Sequence, residues 1–153
     1  MKTELIVLSD DNIKQCLELK VASDQSQYIS SNEDSLKAAE DSKDVARPFV
    51  ICCDGKTVGF AVLVFDEDYE DTNDRYWLWK LMIDEGSQGK GYGTAALREI
   101  IRYFIEHGAN NIRLSTKETN TNALSMYRKA GFCDTGEMID EEIVLQLDLW
   151  FLI

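Results

Sequence analysis

The chain has 153 residues, 44% of them apolar and 29% charged, with a formal net charge of −12. At this length residues 1–153 are expected to form one domain that buries roughly 68–70% of the unfolded surface. No apolar run approaches the ~20 residues of a membrane helix, and so acidic a surface repels nucleic acid and anionic lipid.

In chain order, residues 4–8 read as a first strand. Asp10 and Asp11 offer a helix N-cap, and Ile13, Cys16 and Leu17 start an apolar stripe. Residues 21–31 look irregular; Leu36 and Ala39 mark a second short helix after Ser31. Pro48, the only proline, marks a boundary before a strand at 49–53. Asp54-Gly55 follows, a dipeptide that tolerates the positive φ of a tight hairpin, and 57–65 is the partner strand.

A polar loop, 66–74, carries six acids in nine residues. It either forms a cation-attracting wall or is a solvated hairpin loop. The apolar run 76–83 is expected to be a central strand, with Trp77 and Trp79 on one face and destined for the core. Residues 94–107 give the clearest helix: Leu97, Ile100, Ile101, Phe104 and Ile105 form one stripe, Gly108 ends it, and His107 reads as a capping residue. A strand at 112–116, a helix at 123–130 closed by Gly131, and a strand pair from Phe132 through 143–149 complete the chain. This order predicts an α/β (α+β) fold: a mixed, largely antiparallel sheet flanked by helices, with one central β-α-β unit.

Cys16, Cys52, Cys53 and Cys133 make no C-x-x-C pair, and there is one histidine. No metal site is expected, and the thiols are expected to be reduced and mostly buried, with Cys52 and Cys53 pointing to opposite faces. The N-terminus enters a strand without an export signal, so a cytoplasmic protein is expected. The apolar end Trp150-Phe151-Leu152-Ile153 is to be covered by the fold or by a second subunit, a homodimer.

The strongest local signal is Gln88-Gly89-Lys90-Gly91-Tyr92-Gly93-Thr94, entered by a strand and left by a helix. Its glycines let the backbone bend and present N–H groups beside the positive end of the helix, an arrangement suited to a phosphate or pyrophosphate. Tyr92 stands where a P-loop needs lysine, and the glycine spacing differs from that of a dinucleotide fingerprint. A second block follows, Asn120-Thr121-Asn122-Ala123-Leu124-Ser125-Met126-Tyr127-Arg128-Lys129-Ala130-Gly131-Phe132.

Together the two blocks resemble the [QR]-x-x-G-x-[GA] loop and the N-x-x-A-x-x-x-Y-x-x-x-G-F segment of the GNAT superfamily of N-acetyltransferases. With Gln25, Tyr28 and the acidic loop, the chain looks most like the bacterial polyamine (spermidine/spermine) members. The resemblance implies acetyl-CoA (coenzyme A) as cofactor and a small primary amine as acceptor. It implies main-chain contacts from Leu81, Met82 and Ile83 to the pantetheine arm, a pyrophosphate held by residues 88–94, a coenzyme contact from Asn120, and the phenol of Tyr127 directed at the thioester sulfur.

Such a reaction needs a neutral amine, about one part in a thousand of an alkylammonium at pH 7, and a stabilised leaving thiolate. A free phenol is a weaker acid than a thiol by about 2 kcal/mol, so Tyr127 is expected to donate a hydrogen bond to developing charge. Relatives often carry an acid where Trp79 stands, so the base is Glu67, Asp68, Glu33 or ordered water. Tyr28 and Gln25 either line the amine pocket or only pack. Direct attack without an acetyl-enzyme is expected. A protein lysine or N-terminal acetyltransferase and a non-catalytic acyl-CoA sensor are the rival readings.

Overall fold

The computed structural model describes residues 1–23, 26, 28 and 30–149. Seven strands form one sheet: β1 Thr3–Val7, β2 Ala46–Cys53, β3 Lys56–Phe65, β4 Tyr76–Ile83, β5 Asn111–Thr116, β6 Cys133–Ile139 and β7 Glu142–Asp148. Their order is β1-β2-β3-β4-β5-β7-β6. All neighbours are antiparallel except β4 and β5, which are parallel and joined by a helix. The apolar run expected to be central is therefore the fourth of seven strands.

Four helices cover the sheet: α1 Ile13–Glu18, α2 Asn32–Asp41, α3 Tyr92–Glu106 and α4 Thr121–Lys129. Leu97, Ile100 and Phe104 of α3 and Leu124 and Tyr127 of α4 pack on one face, against Leu63, Leu78, Ile112, Leu114 and Leu145. Cys16 of α1 and Ala39 of α2 pack on the other face, against Val50, Phe60, Val62 and Met82. None of the four helices is long and apolar enough to cross a membrane.

Local chemistry explains most boundaries. Asp54 (φ 50°) and Gly55 (φ 81°) make the tight β2–β3 turn. Ser31 caps α2 by accepting from the Asp34 amide at 3.1 Å. The Nδ1 atom of His107 lies 2.8 Å from the Tyr103 carbonyl and its ring stacks on Tyr103 at 3.8 Å, so it closes α3 as expected.

Four expectations are corrected. Pro48 lies inside β2, paired with Val62, and not at its border. Its carbonyl accepts from Leu8 just past the last β1–β2 pair, Val7 with Phe49, so the missing N–H falls where β1 has run out. The cap of α1 is Asn12, not Asp10 or Asp11; its side chain turns back to the Ser9 amide and the Val7 carbonyl, and Leu17 is half exposed. Of the four free thiols only Cys16 and Cys53 are buried, while Cys133 is exposed.

The correction with most consequence concerns β4. Val62 pairs with Lys80 and Leu63 with Leu78, which leaves Trp79 as the extra residue of a β-bulge. Before the bulge Tyr76 and Leu78 face α3; after it Leu81 and Ile83 do, and Lys80 and Met82 turn to the α2 face. Trp79 is expelled, 48% exposed, instead of entering the core with Trp77, which is half-buried.

Parallel pairing of β4 with β5 consists of one bridge, Trp77 with Arg113. The buried Arg113 guanidinium fixes this junction, reaching Asp74 at 3.2 Å, Glu137 at 2.9 Å and Gln146 at 2.7 Å. Beyond the bridge the two strands part. The split between their C-terminal halves positions the site.

Candidate active site

A cleft of about 320 Å³ occupies this split. Leu81, Met82 and Ile83 form one wall, with β3 paired on their other side. Gly89, Gly91, Tyr92 and Gly93 form the floor, and Asn120, Asn122, Ala123, Met126 and Tyr127 form the opposite wall. Two strands that separate after one bridge leave main-chain donors and acceptors of β4 without a ladder partner, open to an added extended chain.

The loop is shaped by its glycines. Gly89 (φ 76°) and Gly91 (φ 82°) are left-handed, and a side chain at either would stand in open space, so the floor is unfilled. At Gly93 an added Cβ would stand 3.2 Å from the Met126 sulfur, so the passage there is narrow. Gly91 is the N-cap of α3 and supplies no side chain, and the first turn carries no acid. The first amides of this 15-residue helix thus stay directed outward at its positive end. Gln88 donates to the Ile83 carbonyl at 3.0 Å, which closes the loop onto β4.

Ser87 adds a feature that composition did not flag: its hydroxyl is fully buried at the cleft and has no hydrogen-bond partner among the described residues. A buried hydroxyl left unsatisfied in this way fits a ligand group that completes it. Among the described residues no Asp or Glu lines the cleft, although the protein is strongly acidic. An extended, anionic, amide-bearing ligand suits such a lining.

Tyr127 projects from α4 onto the cleft wall, 8% exposed, edge-on to Phe132 at 5.7 Å. Burial pushes its phenol up to about 12, with no charged neighbour contributing. A phenol so placed stays protonated at neutral pH and is able to donate a hydrogen bond. Asn120 caps α4 and donates to the Thr116 hydroxyl at 3.1 Å, tying β5 to the cleft. Tyr28 crosses from the α2 side, lines the cleft and donates to the Thr119 carbonyl at 3.2 Å.

Of the residues expected at a site, Leu81, Met82, Ile83, Gln88, Gly89, Gly91, Tyr92, Gly93, Asn120, Tyr127 and Tyr28 meet at this cleft. Lys90 is exposed outside the lining, and Thr94 lines a separate groove with Arg98 and Glu99. Glu33 lies in a neighbouring groove that shares Met82 with the cleft. Glu67 and Asp68 are exposed on the loop before Tyr76, at the opposite end of β4, roughly 15 Å of strand from Leu81. The acidic loop is thus no wall of this cleft. Gln25 lies outside the described residues. Asn122, Ala123 and Met126 were not expected; Ala123 and Met126 share the Tyr127 face of α4 at three- and four-residue spacing, a readable signal. Ser87 offered none.

Lys80 is buried on the α2 face, with Nζ donating to the Ser30 carbonyl at 2.6 Å and to the Ser35 hydroxyl at 2.9 Å. Desolvation lowers its pKa to about 8. Between pH ~8 and ~10.5 the unfolded chain binds the proton that the folded chain has released, so stability rises with pH across that window and falls again as pH drops through ~8. The buried Cys16 thiol, pushed up to about 11, opposes this rise above pH ~9, so the Lys80 contribution is read as a difference: in denaturant melts, wild type is expected to gain roughly 2 kcal/mol relative to Lys80→Met between pH 7.5 and pH 10.

Comparisons with known proteins converge. The sequence model described as the acetyltransferase (GNAT) family matches residues 13–132. The spermine/spermidine N(1)-acetyltransferase of Bacillus subtilis (strain 168) is 35% identical over 143 residues, spanning 90% of this chain and 92% of that protein. Among solved structures, aminoglycoside acetyltransferase AAC(6')-Ib with coenzyme A superposes with a TM-score of 0.76 at 17% identity, over 96% of this chain and 95% of the other. Spermidine N-acetyltransferase from Vibrio cholerae with CoA and spermine gives 0.70 at 17% identity, over 94% and 92%. At that identity the structural likeness speaks to the fold.

Proposed function

Since the chain belongs to the acetyltransferase (GNAT) family, we propose that it moves the acetyl group of acetyl-CoA onto a primary amine of a polyamine. Acetyl transfer from the coenzyme to an amine follows from the family; the polyamine is the finer part of the reading. The observation that carries it is the Bacillus subtilis relative, 35% identical over 90% of the chain and named for spermine and spermidine. A cleft to which no described residue brings an acid, inside an acidic protein, supports it, since it separates a lining suited to an anionic coenzyme from a surface that gathers cationic amines.

Acetyl-CoA supplies the activated acetyl thioester. The backbone of Leu81, Met82 and Ile83 holds the pantetheine arm as an added strand; the amides of 88–94, the Ser87 hydroxyl and the α3 N-terminus hold the diphosphate; Asn120 steadies the arm from the other wall. The Tyr127 phenol, with its pKa near 12, donates a hydrogen bond toward the sulfur and keeps its proton. Full transfer to a thiolate would be uphill by about 5 kcal/mol, so its work is electrostatic. With Glu67 and Asp68 distant, Glu33, in the groove that shares Met82, and ordered water at the split remain as acceptors of the amine proton.

We take residues 1–153 as one domain working in the cytoplasm, a reducing compartment that suits four free cysteines. Nucleic acid is no partner of so acidic a surface. The apolar residues 150–153, outside the described residues, would be covered by a second copy in a homodimer.

Thiol release from acetyl-CoA, measured against spermidine, spermine, small diamines, amino acids and lysine peptides, tests the reading. Spermidine or spermine is expected to exceed the peptides at least tenfold in kcat/KM. A preference for peptides, or no acceptor at all, would overturn it.

A further inference from the structure

The face of the β4–β5 split turned away from α3 and α4 is where an acceptor can approach the cleft, and its two lips carry different chemistry. On the β4 lip stands Trp79. It shares a small cavity with Lys80, Val62 and Ser35, which places the indole on the α2 face, and 48% of it remains exposed. On the β5 lip stands Ser115, two residues past Arg113 as Trp79 is two past Trp77, the bridged pair. Ser115 alternates with the core residues Leu114 and Ile112, so it faces the same side as Trp79.

The Ser115 hydroxyl donates to Glu142 Oε1 at 2.7 Å. Glu142 is the first residue of β7, next to Ile143, which pairs with Thr116; the Thr116 hydroxyl in turn accepts from the cleft residue Asn120. The carboxylate is held by these contacts against the β5 lip of the split, at the strand end that carries Thr116. It is half-buried, oriented by a neutral donor, and no ion pair satisfies it among the described residues. The buried cation on its face, Arg113, is already shared by Asp74 and Glu137. Holding a partly desolvated carboxylate in one orientation without a cation costs stability unless a cation arrives.

We propose that Glu142, held by Ser115, is the specificity residue that binds the second ammonium of a di- or polyamine while the first amine enters the split beside Trp79. This rests on the amine-acetylation reading above. β7 lies two strands from β4, about 10 Å plus the splay. That separation suits the far end of an aminoalkyl chain and is too long for direct proton transfer from the reacting amine. The exposed indole of Trp79 offers the intervening methylenes an apolar face and the ammonium ions an aromatic one.

The test compares spermidine with an alkyl monoamine of similar length, in wild type and Glu142→Gln, a change that keeps the acceptor for Ser115. Glu142→Gln is expected to lower kcat/KM for spermidine about tenfold through KM, to change the monoamine less than twofold, and to leave acetyl-CoA affinity unaltered; Ser115→Ala follows the same pattern more weakly. An active wild type whose spermidine kinetics are untouched by Glu142→Gln overturns this inference alone. Equal losses for both amines overturn it in favour of a structural role. A wild type that acetylates only peptides overturns the amine reading and this inference together.

Discussion

Tyr127→Phe is expected to lower kcat roughly 100-fold while acetyl-CoA affinity stays within about twofold, as read by steady-state turnover and by calorimetric titration. The ring remains, so its edge contact with Phe132 and its place in the core are retained. Only the phenol oxygen is lost. With burial pushing its pKa up to about 12, the proposed role is electrostatic: a donor that does not ionise at working pH would stabilise negative charge as it appears on sulfur. For the same reason no alkaline limb in the pH–rate profile below about pH 11 belongs to this residue. A variant as fast as wild type would remove Tyr127 from the chemistry, and a variant that no longer binds the coenzyme would make it a structural residue.

Gly91→Val is expected to weaken coenzyme A binding by about 100-fold or more and to lower global stability by only about 1–2 kcal/mol. The native φ of 82° is one a β-branched residue hardly adopts, so the turn must rearrange although space for a side chain exists. A changed turn re-aims its amides and the start of α3. Two charge-assisted hydrogen bonds lost at about 1.5–3 kcal/mol each account for the loss of affinity. Thermal melts without ligand separate this outcome from unfolding.

The sequence made legible whatever is decided by neighbours along the chain. The glycine loop, the α3 stripe from Leu97 to Ile105, the Asp54-Gly55 turn and the short helix after Ser31 all rest on local conformational preference, and they stand where expected. The bounds of β4 were read correctly, yet its faces were not. Simple alternation put Trp77 and Trp79 together, whereas a bulge is set by pairing with β3, which contributes from a different part of the chain. The same limit applies to Pro48, tolerated because β1 is short, and to Asn12, whose side chain serves the turn before its helix. The acidic loop drew attention by composition, but its place is fixed by the Tyr76 end of β4, remote from the cleft. Glu142, by contrast, was hidden in an ordinary strand. Only the β5–β7 register and the Ser115 hydrogen bond tie it to the β5 lip of the split.

In the proposed function, main-chain amides at residues 88–94, with the α3 N-terminus, hold the diphosphate of the coenzyme. Titrating the wild-type protein with coenzyme A and with pantetheine, which carries the same arm without the diphosphate, examines this directly. Coenzyme A is expected to bind at least about 100-fold more tightly, an advantage largely lost in Gly91→Val. Equal affinities for the two ligands in the wild-type protein would contradict the account.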